Sequence, residues 1–353
     1  MAKSSLLRFS VLLAGLGATS FAASITFNTF VSSSAINAVE GQNNTIGFTY
    51  AGDKFVGSVY FGANNLQLYS TDLNGGNVQA FGAPLPTGGG EVVVAGSLGQ
   101  GGFGAGTVYA GTGGNIYKYA DNGGSPSLFA SGLNGGVRGM LLDPGSSFGG
   151  NLLVSTTTGS IYSVTSAGVA TLIAGTGEDT EGMDIIPVGA PGWGALGGDL
   201  LVVSEGSGAL RVITPGGTVM DTGLRLTALE TINFVPVGVG LSGNSLEGYY
   251  AANYPNDIQK ASAAQFLLQG LGGHLLGTSE LLGGSSTVWD ITYNGTSFAS
   301  AAYTGTLPAQ AEDGIFVSEQ RITDTGSPEP GTMLLMGCGF LALGLARHRL
   351  ARR

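Results

Sequence analysis

Glu91, Glu181 and Glu230 stand, with Asn44, Arg138 and Thr287, at or beside the head of six nine-residue windows that each close on glycine. Gathered around one axis, Glu91, Glu181, Glu230 and Asn44 would present oxygen donors to a hard cation, and Ca2+ takes roughly six to eight of them. Arg138 works against a metal at the same place. Paired with Glu91 or Glu181, it would instead leave a wet, ion-paired ring. The chemistry open to these six residues is therefore ligand or cation binding, and the elements that would gather them are the windows themselves.

The window EGMDIIPVG (181–189) returns forty-nine residues later as ETINFVPVG (230–238). Looser copies are NTIGFTYAG (44–52), EVVVAGSLG (91–99), VRGMLLDPG (137–145) and TVWDITYNG (287–295). A second apolar run follows most windows, as GSVYFGA, GTVYAGT, GNLLVST, GDLLVVS and EGYYAAN, and third and fourth runs such as SIYSV, ATLIA and QFLLQ (265–269) come after it. Short runs rich in Val, Ile, Tyr and Leu, separated by glycine, read as strands; helices would need longer windows of 3.6 period. Four short strands per unit, at a period of about 40 to 50 residues, predict an all-β six-bladed β-propeller in which each blade buries its faces against its neighbours. The first strand of a blade lines the channel, so Asn44, Glu91, Arg138, Glu181, Glu230 and Thr287 are expected to ring one mouth. Ile46, Val93, Met140, Met183, Ile232 and Trp289, two positions on, should form an apolar layer beneath them. The last unit is short of strands. The run SITFNTF (24–30) is expected to supply its fourth and close the ring against the segment near Phe316, since an open ring leaves bare strand edges.

Two terminal segments flank this body. Lys3 and Arg8 precede an apolar stretch from Phe9 to Ala18, and Ser20-Phe21-Ala22 offers small residues for cleavage, which predicts a signal peptide over residues 1–23. At the other end Ser327-Pro328-Glu329-Pro330-Gly331-Thr332 leads into apolar Met333–Ala346 and a cluster of arginines ending at Arg353. Fourteen residues reach about 21 Å as a helix, short but feasible for membrane entry when flanking arginines snorkel. The order of Pro328-Glu329-Pro330, short apolar helix and basic tail resembles the PEP-CTERM sorting signal. That resemblance covers residues 327–353. It implies an exosortase-type processing enzyme as partner, transient anchoring through residues 333–346, and delivery to the cell envelope, outer surface or extracellular matrix of an exopolysaccharide-forming bacterium. The body, residues 24–326, then makes a single domain.

Charge narrows the partners. The body holds seven Lys or Arg against 22 Asp or Glu, a net of −15, which excludes nucleic acid. The single cysteine, Cys338, lies in the apolar tail, so no disulfide forms within the chain. Glu178, Asp179 and Glu181 cluster in GTGEDTEG without EF-hand spacing and read as a solvated acidic loop. Aromatics in Tyr249-Tyr250-Ala251-Ala252-Asn253-Tyr254, and Trp193, would suit sugar rings such as those of an exopolysaccharide. The string Gly295-Thr296-Ser297-Phe298-Ala299-Ser300 resembles the serine motif of subtilases, but His274, the one histidine of the body, has no matching motif around it, so no catalytic residue is assigned. A ring of carboxylates at inner-strand starts resembles the divalent-metal site of the gluconolactonase family, which implies Ca2+ and, as an alternative to a binding or structural module, a metal-dependent hydrolase or lactonase.

Overall fold

Continuous apolar runs such as Leu200–Ser204 are buried on every residue because each sits in a sheet covered on both faces. The computed structural model describes residues 24–61, 67–280 and 286–323, and they form six four-stranded antiparallel sheets. The segments expected to be a signal peptide and a sorting signal, including Pro328, Glu329, Pro330 and the apolar stretch 333–346, lie outside the described residues. Among the described residues no helix is long and apolar enough to cross a membrane.

The chain enters with β1 (Asn28–Val31) and helix α1 (Ser33–Glu40). The hydroxyl of Ser32 caps α1 by accepting from Ala35 N, and Gly41 ends it in the left-handed region. Blade 1 is β2 (Thr45–Tyr50), β3 (Phe55–Val59), β4 (Leu68–Thr71) and β5 (Gln79–Phe81). Blade 2 is β6 (Val93–Gly96), β7 (Val108–Thr112), β8 (Asn115–Ala120) and β9 (Gly123–Ser131). Blade 3 is β10 (Val137–Leu142), β11 (Leu152–Thr156), β12 (Ser160–Val164) and β13 (Ala170–Gly175). Blade 4 is β14 (Met183–Ile185), β15 (Leu200–Ser204), β16 (Ala209–Ile213) and β17 (Val219–Arg225). Burial falls outward within a blade: β11 and β15 are wholly buried, whereas β13 and β17 are mostly exposed or half-exposed.

The last two blades are interwoven. After β18 (Leu229–Phe234) the chain leaves blade 5 to make β19 (Gly248–Asn253), β20 (Ile258–Ser262) and helix α2 (Ala263–Leu268). It then returns with β21 (Leu275–Ser279), β22 (Thr287–Tyr293) and β23 (Phe298–Ala302), which complete the sheet of β18. Finally β24 (Ala311–Val317) forms the inner strand of blade 6, in the order β24, β19, β20, β1, and a short helix α3 (Glu319–Thr323) follows.

This weave corrects three expectations. TVWDITYNG is the third strand of blade 5, so Thr287 and Trp289 do not face the channel; the inner strand of blade 6 is Ala311–Val317. The QFLLQ run is mostly the helix α2, whose Ala, Gln and Leu residues favour that state. The N-terminal strand does complete the sheet that contains Phe316, but its hydrogen-bonded partner is β20, through Asn28 opposite Lys260 and Val31 opposite Ile258, while Phe316 lies two strands further in.

The closing seam is aromatic. Phe48 and Phe55 of blade 1 stack with centroids 5.1 Å apart, and Phe30 of the N-terminal strand meets the Tyr250 ring of blade 6 edge-on at 4.8 Å. Val31, Ile258 and Val317 belong to the same buried cluster, so packing and strand pairing together hold the ring shut.

Candidate cation site at the channel mouth

Adjacent inner strands approach closely because small residues stand where they touch. A Cβ on Gly139 would lie 2.2 Å from the Glu181 carbonyl, and one on Gly182 would lie 2.6 Å from that of Glu230. Each glycine directly follows a ring residue, Arg138 or Glu181, and lets the next blade's glutamate draw near. Hydroxyls on the second strands then fix the heads of the inner strands: Ser58 donates to Val92 O, Ser155 to Glu181 O and Thr278 to Ala311 O, each into the following blade. The backbone of Glu230 is held in turn by Gly182 N. These contacts set Glu91, Arg138, Glu181, Glu230 and, in blade 6, Glu312 around one opening.

The Arg138 guanidinium pairs with both Glu91 and Glu181 and approaches Asp179 at 3.4 Å and Glu205 at 3.7 Å. Glu181, Glu205 and Glu230 each turn a carboxylate oxygen to a common point, all within 4.8 Å of one another. Glu181 is 8% exposed and Glu230 3%, and one oxygen of each is buried without a hydrogen-bond partner. Glu280, Glu312, Gln310, Tyr60 and Tyr254 complete the rim. Among the described residues, seven carboxylates thus share a single guanidinium.

Their titration follows from that imbalance. Burial raises Glu181 to about 7 although Arg138 pulls the other way. Burial, and then the Glu181 carboxylate beside it, hold Glu230 well above the ordinary range. Burial followed by a hydrogen bond with Glu280 pushes Glu312 up to about 9. Glu205 is raised by burial and by Glu280. Such a cluster holds protons near neutrality or surrenders them to a cation. Three converging carboxylates suit a hard ion, since Ca2+ accepts oxygen ligands in flexible geometry.

Below the rim the channel opens into a cavity of about 1180 Å3. Ile46, Val93, Met140, Met183 and Ile232 line it, as the two-residue alternation requires, together with Phe48 and Phe234. Two aspartates deeper in the channel tie neighbouring blades: Asp184 accepts from Phe234 N at 2.6 Å and Asp313 from Phe48 N at 3.0 Å. At the far end Glu319, Gln320 and Arg321 of α3 border the cavity.

Of the six residues expected at the mouth, the structure brings together Glu91, Arg138, Glu181 and Glu230. Asn44 stands at the approach to β2, where its carbonyl accepts from Tyr60 N, and it does not line the opening; Ile46 does. Thr287, on the third strand of blade 5, is away from it. Asp179 belongs to the site, while Glu178 of the same loop pairs with Arg211. Sequence reasoning missed Glu205 and Glu280, although a signal was present: the second strands of blades 4 and 5 both end in Ser-Glu, as LLVVSE (200–205) and LLGTSE (275–280). Glu312 was hidden by the assignment of the wrong inner strand.

Other candidates resolve into structure. Tyr249, Tyr250 and Trp193 are buried, and the Trp193 indole donates to Gly273 O at 2.8 Å, so they offer no platform for sugar. Ser297 sits in a hairpin turn organised by the Asn294 side chain, and His274 Nδ1 contacts Asp290 at 2.8 Å.

No family model and no curated protein matches the chain. Among solved structures it is similar to a streptogramin B lyase (13% identity, TM-score 0.47, 81% of this chain and 74% of that one). A putative gluconolactonase gives 13% identity and TM-score 0.48 over 82% and 84% of the two chains. A PQQ-bound aldose sugar dehydrogenase from Streptomyces coelicolor gives 13% and 0.45 over 87% and 96%. These likenesses extend no further than the propeller fold.

Proposed function

We propose that this chain is an exported propeller acting as a binding or structural module at the cell surface or in the extracellular matrix, with a divalent cation such as Ca2+ held at the channel mouth by Glu181, Glu205 and Glu230. One observation carries the cation: carboxylate oxygens from three strand ends converge on one point while buried oxygens of Glu181 and Glu230 lack donors, an arrangement that costs stability unless a proton or cation fills it. Arg138 neutralises part of this charge and leaves most of it uncompensated. Delivery rests on the two terminal segments, the second resembling a PEP-CTERM signal read by an exosortase-type enzyme. The test of the cation is thermal unfolding at pH 7.5 with Ca2+ or EDTA. A ligand that binds only the folded chain adds about 2.7 kcal/mol at a hundredfold excess over Kd, so the midpoint rises with Ca2+; an unchanged midpoint across the titration would sink the assignment.

The cavity beneath the carboxylates favours one second reading, a metal-dependent hydrolase or lactonase whose cation polarises a substrate carbonyl. A turnover screen on lactones and phosphoesters with and without EDTA separates the two.

A further inference from the structure

The end of the propeller opposite the acidic mouth differs from the rest of this acidic chain. The inner strands of blades 2 to 5 lead there into connections over residues 97–107, 143–151, 186–199 and 235–247, which together contain three charged residues, Asp143, Asp199 and Glu247. Asp143 is buried and accepts from Gly145, Phe148 and Gly150 N–H groups, Glu247 is buried and accepts from Ser242 Oγ and Glu319 N, and Asp199 is half-buried. The large side chains that these connections expose most are apolar: Val188 at 79%, Val237 at 56% and Leu241 at 72%. Helix α2 follows β20 at the same end, with Ala263 N on Glu247 O, and adds Leu268 at 86% exposure. The pieces adjoin: a Cβ on Gly273 would meet Pro191 at 3.1 Å and Val237 at 3.8 Å, and one on Gly240 would meet Ala263 O at 2.9 Å. Of the other charged groups of this end, Lys54 with Asp53 and Asp121, and Asp72, lie across the opening on blades 1 and 2, Glu319 and Arg321 stand on α3, and Lys260 donates to the Ser245 and Leu246 carbonyls. Solvent-exposed apolar patches of this kind mark an interaction surface.

The path of the chain says what covers it. Helix α3, packed through Glu319 N on Glu247 Oε1, leaves the body at Thr323 on this same end. Nine residues, 324–332, separate it from the apolar stretch Met333–Ala346. Nine residues span at most about 30 Å. If that stretch enters a bilayer, the end that exits toward it is held against the lipid, and the acidic mouth is turned away.

We infer that the apolar face formed by Val188, Val237, Leu241 and Leu268 rests on a phospholipid surface, so that the propeller stands with its channel axis toward the membrane and its carboxylate mouth outward. This rests on the reading of residues 333–346 as a membrane-entering segment. The probe is full-length chain in a Cys338→Ser background, reconstituted with phosphatidylcholine vesicles and labelled with an environment-sensitive fluorophore at Leu241→Cys or, at the acidic end, Asn256→Cys. The expected result is a blue shift at 241 with quenching by spin-labelled lipid, and neither at 256. Vesicle flotation with a solvent-like label at 241, or quenching at 256, would overturn the docking face and leave the tail reading standing; failure to float at all would overturn both. A second variant, Val188→Glu with Leu241→Glu and Leu268→Glu, labelled at Val237→Cys, is expected to float through its tail yet lose the blue shift. Retention of that shift would show that burial at 237 does not depend on the proposed face.

Discussion

Replacing Arg138 by methionine removes the one guanidinium from among seven carboxylates while keeping much of its length. Arg138 and Glu181 are largely buried and paired, and removing one partner of a buried pair costs about 3–5 kcal/mol. At pH 8 the Arg138→Met chain should lose about 3 kcal/mol. At roughly 2–4 °C per kcal/mol for a large domain, that is a fall of about 6–12 °C in Tm. The penalty depends on ionised carboxylates. Arg138 is what opposes the burial of Glu181, so its loss moves that residue further above its present value of about 7, and at pH 5 Glu181, Glu230 and Glu312 are protonated. Variant and parent should therefore converge at pH 5. Added Ca2+ should recover more stability in the variant, whose site has lost a competitor for the same oxygens. Differential scanning calorimetry at both pH values, with and without Ca2+, reads all three effects. An equal loss at pH 5 and pH 8 would mean that Arg138 acts by packing alone, and would refute the electrostatic argument.

Three further outcomes follow from the same geometry. Burial raises Asp184 to about 6 and Asp313 to about 7, so the stability they contribute is complete below the ordinary aspartate value and is lost as pH rises through 6 and 7; because both border channel solvent, urea unfolding should show a loss of about 2–4 kcal/mol between pH 4.5 and 8, largely abolished in the double variant Asp184→Asn, Asp313→Asn. Deleting residues 24–31 bares the β20 edge and uncovers the seam around Tyr250, so sedimentation should show concentration-dependent association that the parent lacks. If the C-terminal segment is a processed sorting signal, mass spectrometry of chain exported by its native host should find Arg353 removed; an intact terminus would sink the processing reading.

Much of this was legible because a propeller writes each blade with one hydrophobic pattern. Glu181 and Glu230 could be placed side by side from EGMDIIPVG and ETINFVPVG alone, and the glycine after Glu181 leaves no room for a Cβ, which would lie 2.6 Å from the Glu230 carbonyl. What the pattern could not carry is which strand plays which part. TVWDITYNG alternates and closes on glycine as an inner strand would, yet its place is decided by pairing with Leu275–Ser279, a long-range choice that local composition does not encode. The detour of β19 and β20 into blade 6 follows from the same cause. It lets two returning strands grip the N-terminal strand and the last inner strand together, and it moved the sixth ring position from Thr287 to Glu312. Asn44 failed for a smaller reason: β2 begins one residue later, and Ile46 takes the channel-facing place.

The central claim is that Glu181, Glu205 and Glu230 form one cation site, and Tb3+ luminescence tests it most directly because Tyr60 and Tyr254 border the same mouth and can sensitise the ion. Titration at pH 7.5 should give tyrosine-excited Tb3+ emission that Ca2+ displaces and that Glu205→Gln and Glu230→Gln each abolish. Absence of sensitised emission from the parent, or emission that survives both substitutions, would contradict it.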